Sequence, residues 1–343
     1  MTTISSTLLA GQLVRPQLGK ETAWGSQATA TALWMSGTAD GAKITPLAKE
    51  TIFPHQLGSL APGFLHAKLQ SGGNFVLPGT LLYEEAMIAF GWALGTVSPS
   101  GGGPYVWANA ASLTSVPAVQ PYTIELGNVG DSGNSDSMVL TGCLPQSLKV
   151  SGEIGKEMTF EVSGFGQQFL SGKELTGALT QRTGMEPVLF LGSSFYLDPF
   201  GTAPGTTPFT NTLSKFDLTI DTGIVPVFAA GQTYPINWTH KIINYKLNMS
   251  FLMTTTLRTF LTTNLLRDSS VGNQVGATVR IKGASGSKIV QMDMAGMMDA
   301  DPSLFDRDQD VQAISVSMSG LYEPTSMANY LKTSVTNSIS ALP

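Results

Sequence analysis

Three short segments from the first half of this chain return in the second half at nearly constant spacing. Thr123-Ile124-Glu125-Leu126 matches Thr278-Val279-Arg280-Ile281, Leu140-Thr141-Gly142 matches Met294-Ala295-Gly296, and Val162-Ser163-Gly164 matches Met318-Ser319-Gly320. The separations are 155, 154 and 156 residues. A short helical pattern precedes each set and directly follows a strand pattern: Leu81 to Leu94 in one, Thr254 to Arg267 in the other. The two helices are about 176 residues apart, so the loops after them differ in length. Chance similarity between β-rich segments is the plain alternative. Three separate matches that agree this closely favour one structural unit used twice. At 343 residues the chain has room for two domains, each with its own core.

The unit is mainly β. Tyr245, Leu247, Met249, Phe251 and Met253 alternate with Lys246, Asn248, Ser250 and Leu252, which is the period of a strand with one buried face. Met158, Phe160 and Val162 alternate with Glu157, Thr159 and Glu161. Ile314, Val316 and Met318 alternate with serines. The offset of 156 residues places Met158, Phe160 and Val162 in one core where Ile314, Val316 and Met318 stand in the other. In the first helix Glu84 and Glu85 fall in the early turns, where they suit the helix dipole, and Gly95 is a C-cap.

Composition narrows the function. Hydrophobic residues make up 42%, as in a globular protein, but charged residues only 13%, against about 25% in a typical soluble domain. An extracellular or thermophilic β protein is one reading. A subunit that spends much of its surface on interfaces is the preferred one, because interface cores are depleted in charge. The net charge of −5 argues against a nucleic-acid binder held by counterion release, though not against a channel through which DNA slides. Cys143 is the single cysteine, which excludes an internal disulfide framework and reads as a small buried hydrophobe. Met1 to Val14 has no basic n-region and only a short apolar run, Leu8 to Ala10, so it does not read as a signal peptide. The most apolar stretch, Ala86 to Leu94, is too short to span a bilayer, so no membrane partner is expected. The sequons at Asn237 and Asn248 are then chance.

No catalytic or cofactor constellation emerges. His55, His66 and His240 are scattered without metal-ligand spacing. Gly283-Ala284-Ser285-Gly286 has the wrong spacing for a nucleophile elbow, and Gly164-Phe165-Gly166 leads to Phe169 where a dinucleotide fingerprint needs glycine. Gly152 to Lys156 lacks the spacing of a phosphate-binding loop. Asp306, Asp308 and Asp310 have calcium-loop spacing, but Val311 stands where glycine is needed and Ser317 where a bidentate glutamate is needed. A solvated acidic loop partly neutralised by Arg307 is the better reading. The expectation is no cofactor, no metal and no enzyme.

The order of several segments resembles the two-domain tail tube proteins, or major tail proteins, of long-tailed phages. The resemblance begins at Lys20-Glu21-Thr22-Ala23-Trp24-Gly25 and continues through Gly79-Thr80-Leu81-Leu82 and Ala93-Leu94-Gly95. Pro121-Tyr122-Thr123-Ile124-Glu125, Leu140-Thr141-Gly142-Cys143 and the Leu148 to Phe160 segment follow, then the repeated second half. It covers residues 18 to about 325, and order and spacing carry it, since no single motif is specific. It implies two tandem tail-tube-type β-barrel or sandwich domains, each with a short flanking α-helix. Residues 1–170 are the first domain with an N-terminal arm, 171–184 a linker, and 185–326 the second domain. Residues 327–343 are a C-terminal tail, either a mobile end or an arm that docks on a neighbour. The implied function is a virion structural subunit, assembled in the host cytoplasm. Its homo-oligomeric rings stack into a hollow tube that conducts double-stranded DNA during ejection without binding it specifically, with other tail proteins at the tube ends. Duplication suggests three chains per ring with pseudo-sixfold symmetry. Glu153, Glu157 and Glu161 are the candidates for the lumen wall, Glu157 and Glu161 sharing one face of a strand. Outward placement, or contact with the next ring, is the alternative. The rival from another class is a carbohydrate-binding or adhesin-like β-sandwich, which would cluster exposed aromatics, whereas Trp24, Trp34, Trp92, Trp107 and Trp238 are dispersed. A β-rich enzyme is a third reading, without a convergent polar site to support it.

Overall fold

The computed structural model describes residues 14–36, 41–47, 49–55, 63–111, 113–128, 137–177, 179–209, 211–264, 276–298, 306–308 and 311–342. In chain order the first half carries β1 (Val14–Lys20), β2 (Ala32–Leu33), β3 (Lys43–Pro46), β4 (Lys49–His55), β5 (Gly63–Gln70), β6 (Gly73–Thr80) and α1 (Ala86–Leu94). It continues with β7 (Tyr105–Ala110), β8 (Tyr122–Asn128), β9 (Ser137–Glu153), β10 (Thr159–Gly166) and β11 (Gln168–Lys173). The second half carries β12 (Ser193–Pro199), β13 (Leu213–Asp221), β14 (Ile224–Val227), β15 (Asn237–His240), β16 (Asn244–Leu252) and α2 (Thr255–Asn264). After it come β17 (Gly276–Ser285), β18 (Lys288–Met298), β19 (Asp306–Asp308), β20 (Val311–Gly320) and β21 (Leu331–Asn337).

The protein is mainly β, as its alternating patterns require, and all strand pairs are antiparallel. In the first half the principal strands lie side by side as β1–β8–β9–β10–β6–β3. In the second half the order is β12–β17–β18–β20–β16–β13. Leu18, Ile124 and Leu140 are cross-strand neighbours in one half, and Leu197, Val279 and Met294 in the other. All six side chains are fully buried. Among the described residues neither series closes on itself, so of the expected barrel or sandwich no closed barrel forms here. The outer edge of β3, the last strand of the first series, pairs with no strand among the described residues.

β9 runs through Pro145, which has no N–H to donate to a ladder. The strand tolerates it because the pairing with β10 shifts register between Ser163 and Gly164, opposite this point. Before the proline β9 pairs with β8 and β11; beyond it, with β10 on one side and β13 of the second half on the other. One sheet therefore passes from half to half as β3–β6–β10–β9–β13–β16–β20.

The first helix begins at Ala86, five residues later than its sequence pattern predicts. Leu81 is occupied in backbone bonds with Met158 and Val188, and Leu82 bridges Pro187. Glu84 and Glu85 do not serve the helix dipole. The Glu85 carboxylate accepts from the Met35 and Ser36 amides and the Ser36 hydroxyl, and Glu84 accepts from the Glu186 amide and pairs with Lys288 at 2.6 Å. All nine helical residues are buried, with Trp92 stacked on Phe75 at 5.3 Å. α2 is amphipathic, as expected, and its Leu257 and Leu261 are buried.

The segment between the halves is pinned at several points. Glu125 accepts from the Thr176 amide and hydroxyl, and Lys288 donates to the Gly184 carbonyl. The stretch set apart as a C-terminal tail carries β21, which lies between β18 of the second half and β7 of the first.

Candidate functional surface

The sheet that crosses both halves has two faces of opposite character. Along its inner face Phe160, Val150, Leu218, Leu247 and Met318 stand in one cross-strand row, each at most 4% exposed. One residue along every strand the side chains point the other way. There Glu161, Lys149, Thr219, Lys246 and Ser319 form one row, and Thr159, Ser151, Asp217, Asn248 and Ser317 the next. A third row reads Glu153, Lys215, Ser250 and Ser315. None of these residues is buried, and none is apolar.

Charges on this face are matched. Lys149 lies 3.5 Å from Glu161, Lys156 2.7 Å from Glu153, and Lys215 3.4 Å from Asp217. The hydrogen bond and charge of Lys156 hold the Glu153 carboxyl below its ordinary pKa, and Glu153 raises that of Lys156 in return. Glu153 and Glu157 line one shallow depression of about 300 Å³ together with Lys156, Thr159, Lys215 and Asp217. Glu161 sits on the other side of Thr159, on its own lysine. Thus the three glutamates singled out in the sequence are exposed or half-exposed on one surface, each near a lysine or beside a glutamate that has one. The lysines and Asp217 were missed. For Lys215 and Asp217 the signal was the alternation of Phe216, Leu218 and Ile220 with Lys215, Asp217 and Thr219 in β13.

The segments that carried the resemblance have local structural work. Glu21, buried at 2% exposure, accepts from the Gly142 amide, the Thr123 hydroxyl and the Gly25 amide, while Trp24 Nε1 donates to the Gly142 carbonyl. Lys20 to Gly25 is thereby fastened over β8 and β9. Burial, outweighing these bonds, raises the Glu21 pKa.

Residues 11–328 match the family of phage tail tube proteins. The chain belongs to that family. No curated protein sequence matches it. Membership makes this tail tube protein a structural component of the virion tail, assembling with many copies of itself into a tube. Among the described residues no helix is long and apolar enough to cross a membrane. Trp34, Trp92 and Trp107 are buried and Trp24 and Trp238 partly so, so none of the five is fully exposed. The Asp306, Asp308 and Asp310 cluster lies outside the residues whose side chains are described. His55 and His66 lie outside them as well. His240 is half-buried, and burial lowers its pKa.

Proposed function

We propose that this tail tube protein closes into rings of three chains, that each chain supplies two tandem copies of one unit, and that the polar face of the shared sheet lines the lumen. The observation that carries the reading is that sheet. It crosses from one half to the other, buries a continuous row of large apolar side chains on one face, and presents on the other three rows of polar, charge-matched side chains from β10, β9, β13, β16 and β20. The duplication is supported by the common strand order of the two halves and by their equivalent buried triplets. Six units per ring follow from three chains. A heterologous contact repeated by rotation closes such a ring. Stacked rings form a hollow tube through which double-stranded DNA passes without specific binding, and other tail proteins meet the tube ends.

The lumen reading rests on charge balance. Every phosphate captured by a lysine would slow the passing DNA. Here Lys149, Lys156 and Lys215 are each within 3.5 Å of a carboxylate. Glu153, Glu157 and Glu161 take the role of neutralising this wall, which tips it slightly negative. Electron microscopy of the purified protein tests the assembly, and mass per unit length with the ring repeat counts the chains. Hollow tubes with three chains per ring are expected. Six chains per ring would refute the duplicated ring and leave the second half a decoration.

A further inference from the structure

In both halves a hairpin is inserted in the chain between the last two strands of the series: β4–β5 lies between β3 and β6, and β14–β15 between β13 and β16. Their registers correspond. Glu50 pairs with Lys68 in one hairpin and Pro226 with Trp238 in the other, the same positions counted from the strands on either side. The second-half hairpin is docked on the first half. Beyond β14 the chain reaches Ser71, whose amide donates to the Thr233 carbonyl and whose hydroxyl lies 2.9 Å from that of Thr233. Gln167 Nε2 donates to the Pro235 carbonyl at 3.1 Å, and a Cβ on Gly72 would lie 3.7 Å from Pro235 Cδ. Gly72, Phe165 and Gly166 are buried at this seat.

In the second half the same positions have no cover among the described residues. Matching β16 to β6 and β20 to β10 through their registers puts Ile242 in the place of Gly72, and Leu321 and Tyr322 in the places of Phe165 and Gly166. These three are 77%, 38% and 47% exposed. Ile242 also lines a groove of about 850 Å³ with Asp221, Gly223, Lys241 and Asn244. Meanwhile β4–β5 pairs only with itself among the described residues, and a lone two-stranded hairpin is marginal in water. Its sequence is rich in large apolar residues, Ile52, Phe53, Phe64 and Leu65.

We infer that the joint between the halves is made again between chains: the β4–β5 hairpin of one copy seats on the second half of another, over Ile242, Leu321 and Tyr322. The inference rests on the ring proposed above and names its contact. The rotation that carries the first half onto the second carries the docked hairpin onto this one. The free outer edge of β3 fits the same operation, because β13 occupies the equivalent place and is paired across the halves by β9.

The test is a cross-link in the full chain. Counting back from β6 and β16, Leu65 stands where Pro235 stands, so Leu65→Cys and Ile242→Cys should come together between copies. Cys143 is fully buried and stays in place. On oxidation of the assembled double variant, covalent dimers and trimers are expected. A mixture of the two single variants should give dimers only. Tubes that form without an intermolecular cross-link, or with a bond only inside one chain, would overturn this contact and leave the ring standing. Absence of rings or tubes from the unaltered protein would instead defeat the ring itself. A second variant, Ile242→Asp, changes an exposed side chain and should leave the monomer folded by circular dichroism. It should raise the concentration needed for assembly about tenfold or more, the loss expected from a charge placed in a contact core. Unchanged assembly of this variant would also overturn the contact.

Discussion

Replacing Glu323 with glutamine should weaken the strand that ties the two halves together. Glu323 is 0% exposed and follows β20. Its carboxylate accepts from the amides of Thr325 at 2.7 Å, Ser326 at 2.8 Å and Met327 at 2.5 Å, and from the Ser326 hydroxyl at 2.9 Å. The turn it organises leads into Asn329, whose side chain donates to the Ala111 carbonyl of the first half, and then into β21 between β18 and β7. Burial alone would raise the pKa of this carboxyl, but the four donors outweigh it and bring the value from 4.5 down to about 2. At about 1.4 kcal/mol per pH unit, that difference is worth about 3 kcal/mol. A depressed folded-state pKa stabilises above the unfolded value, so the contribution is complete above about pH 5. It then fades as pH falls toward 2. An amide offers one acceptor oxygen and turns N–H groups toward the remaining donors, so Glu323→Gln should cost about 2–3 kcal/mol at pH 7. Urea unfolding of both proteins at pH 7 and pH 3 measures it, and the gap should shrink to about 1 kcal/mol at pH 3. Using the difference removes Glu21 and Glu85, whose pKa values burial raises and which act in the opposite sense. A gap that is equal at both pH values, or under about 0.5 kcal/mol at pH 7, would refute the reasoning.

Gly164→Ala should destabilise the protein by about 3 kcal/mol or more, because the added Cβ would sit 2.0 Å from the Leu144 carbonyl oxygen, a backbone atom that cannot give way. Gly177→Ala, with nothing within 4 Å, is the matched control and should be nearly neutral by thermal melting. Equal melting temperatures for the two variants would contradict the tight crossing at Pro145. Glu157→Lys with Glu161→Lys should assemble into normal tubes but eject DNA more slowly. Failed assembly would move these residues to an interface, and normal rates of ejection would put them on the outside of the tube.

The strands legible in the sequence were those whose outward residues are polar and whose inward ones are large. β16, β10 and β20 satisfy that rule, and Phe160, Val162, Val316 and Met318 are buried as their period requires. β21 escaped because its inward positions alternate Leu331, Thr333, Val335 and Asn337, two of them polar. Thr333 and Asn337 are nevertheless buried, and Asn337 Nδ2 donates to the Tyr83 carbonyl of the first half. Hydrogen bonding over such a distance in sequence leaves no local pattern. The same holds for Glu84 and Glu85. Their spacing fits a helix start, yet their partners are Glu186, Lys288, Met35 and Ser36. The β9–β13 pairing was illegible for a third reason. Either strand alone reads as a strand, but nothing in its residues names its neighbour. The polar surface was accordingly legible only as three glutamates, at the end of β9, in the turn after it and on β10. Lys215 and Lys246 joined it only when β13 and β16 were laid beside β9.

Those lysines bear on why the face is built as it is. Exposed lysine–carboxylate pairs contribute little to stability, typically under about 1 kcal/mol each. Stability therefore does not account for three of them in neighbouring positions on the face. In the proposed lumen their effect at a distance would. At physiological salt a charge is screened within about 8 Å. A phosphate farther away than that senses little of any one lysine, and a closer one meets the lysine together with its carboxylate. On this patch Lys149, Lys156, Lys215 and Lys246 stand against Glu153, Glu157, Glu161, Asp217 and Asp221. Changing two of the glutamates to lysine would turn a near-neutral patch into a basic one without touching the buried face. Elsewhere on the sheet the outward positions of β20 are Ser315, Ser317 and Ser319, short side chains that offer DNA no charge. In the proposed ring, charge-matched and serine-lined stretches would alternate around the wall, and neither provides a place for DNA to stop.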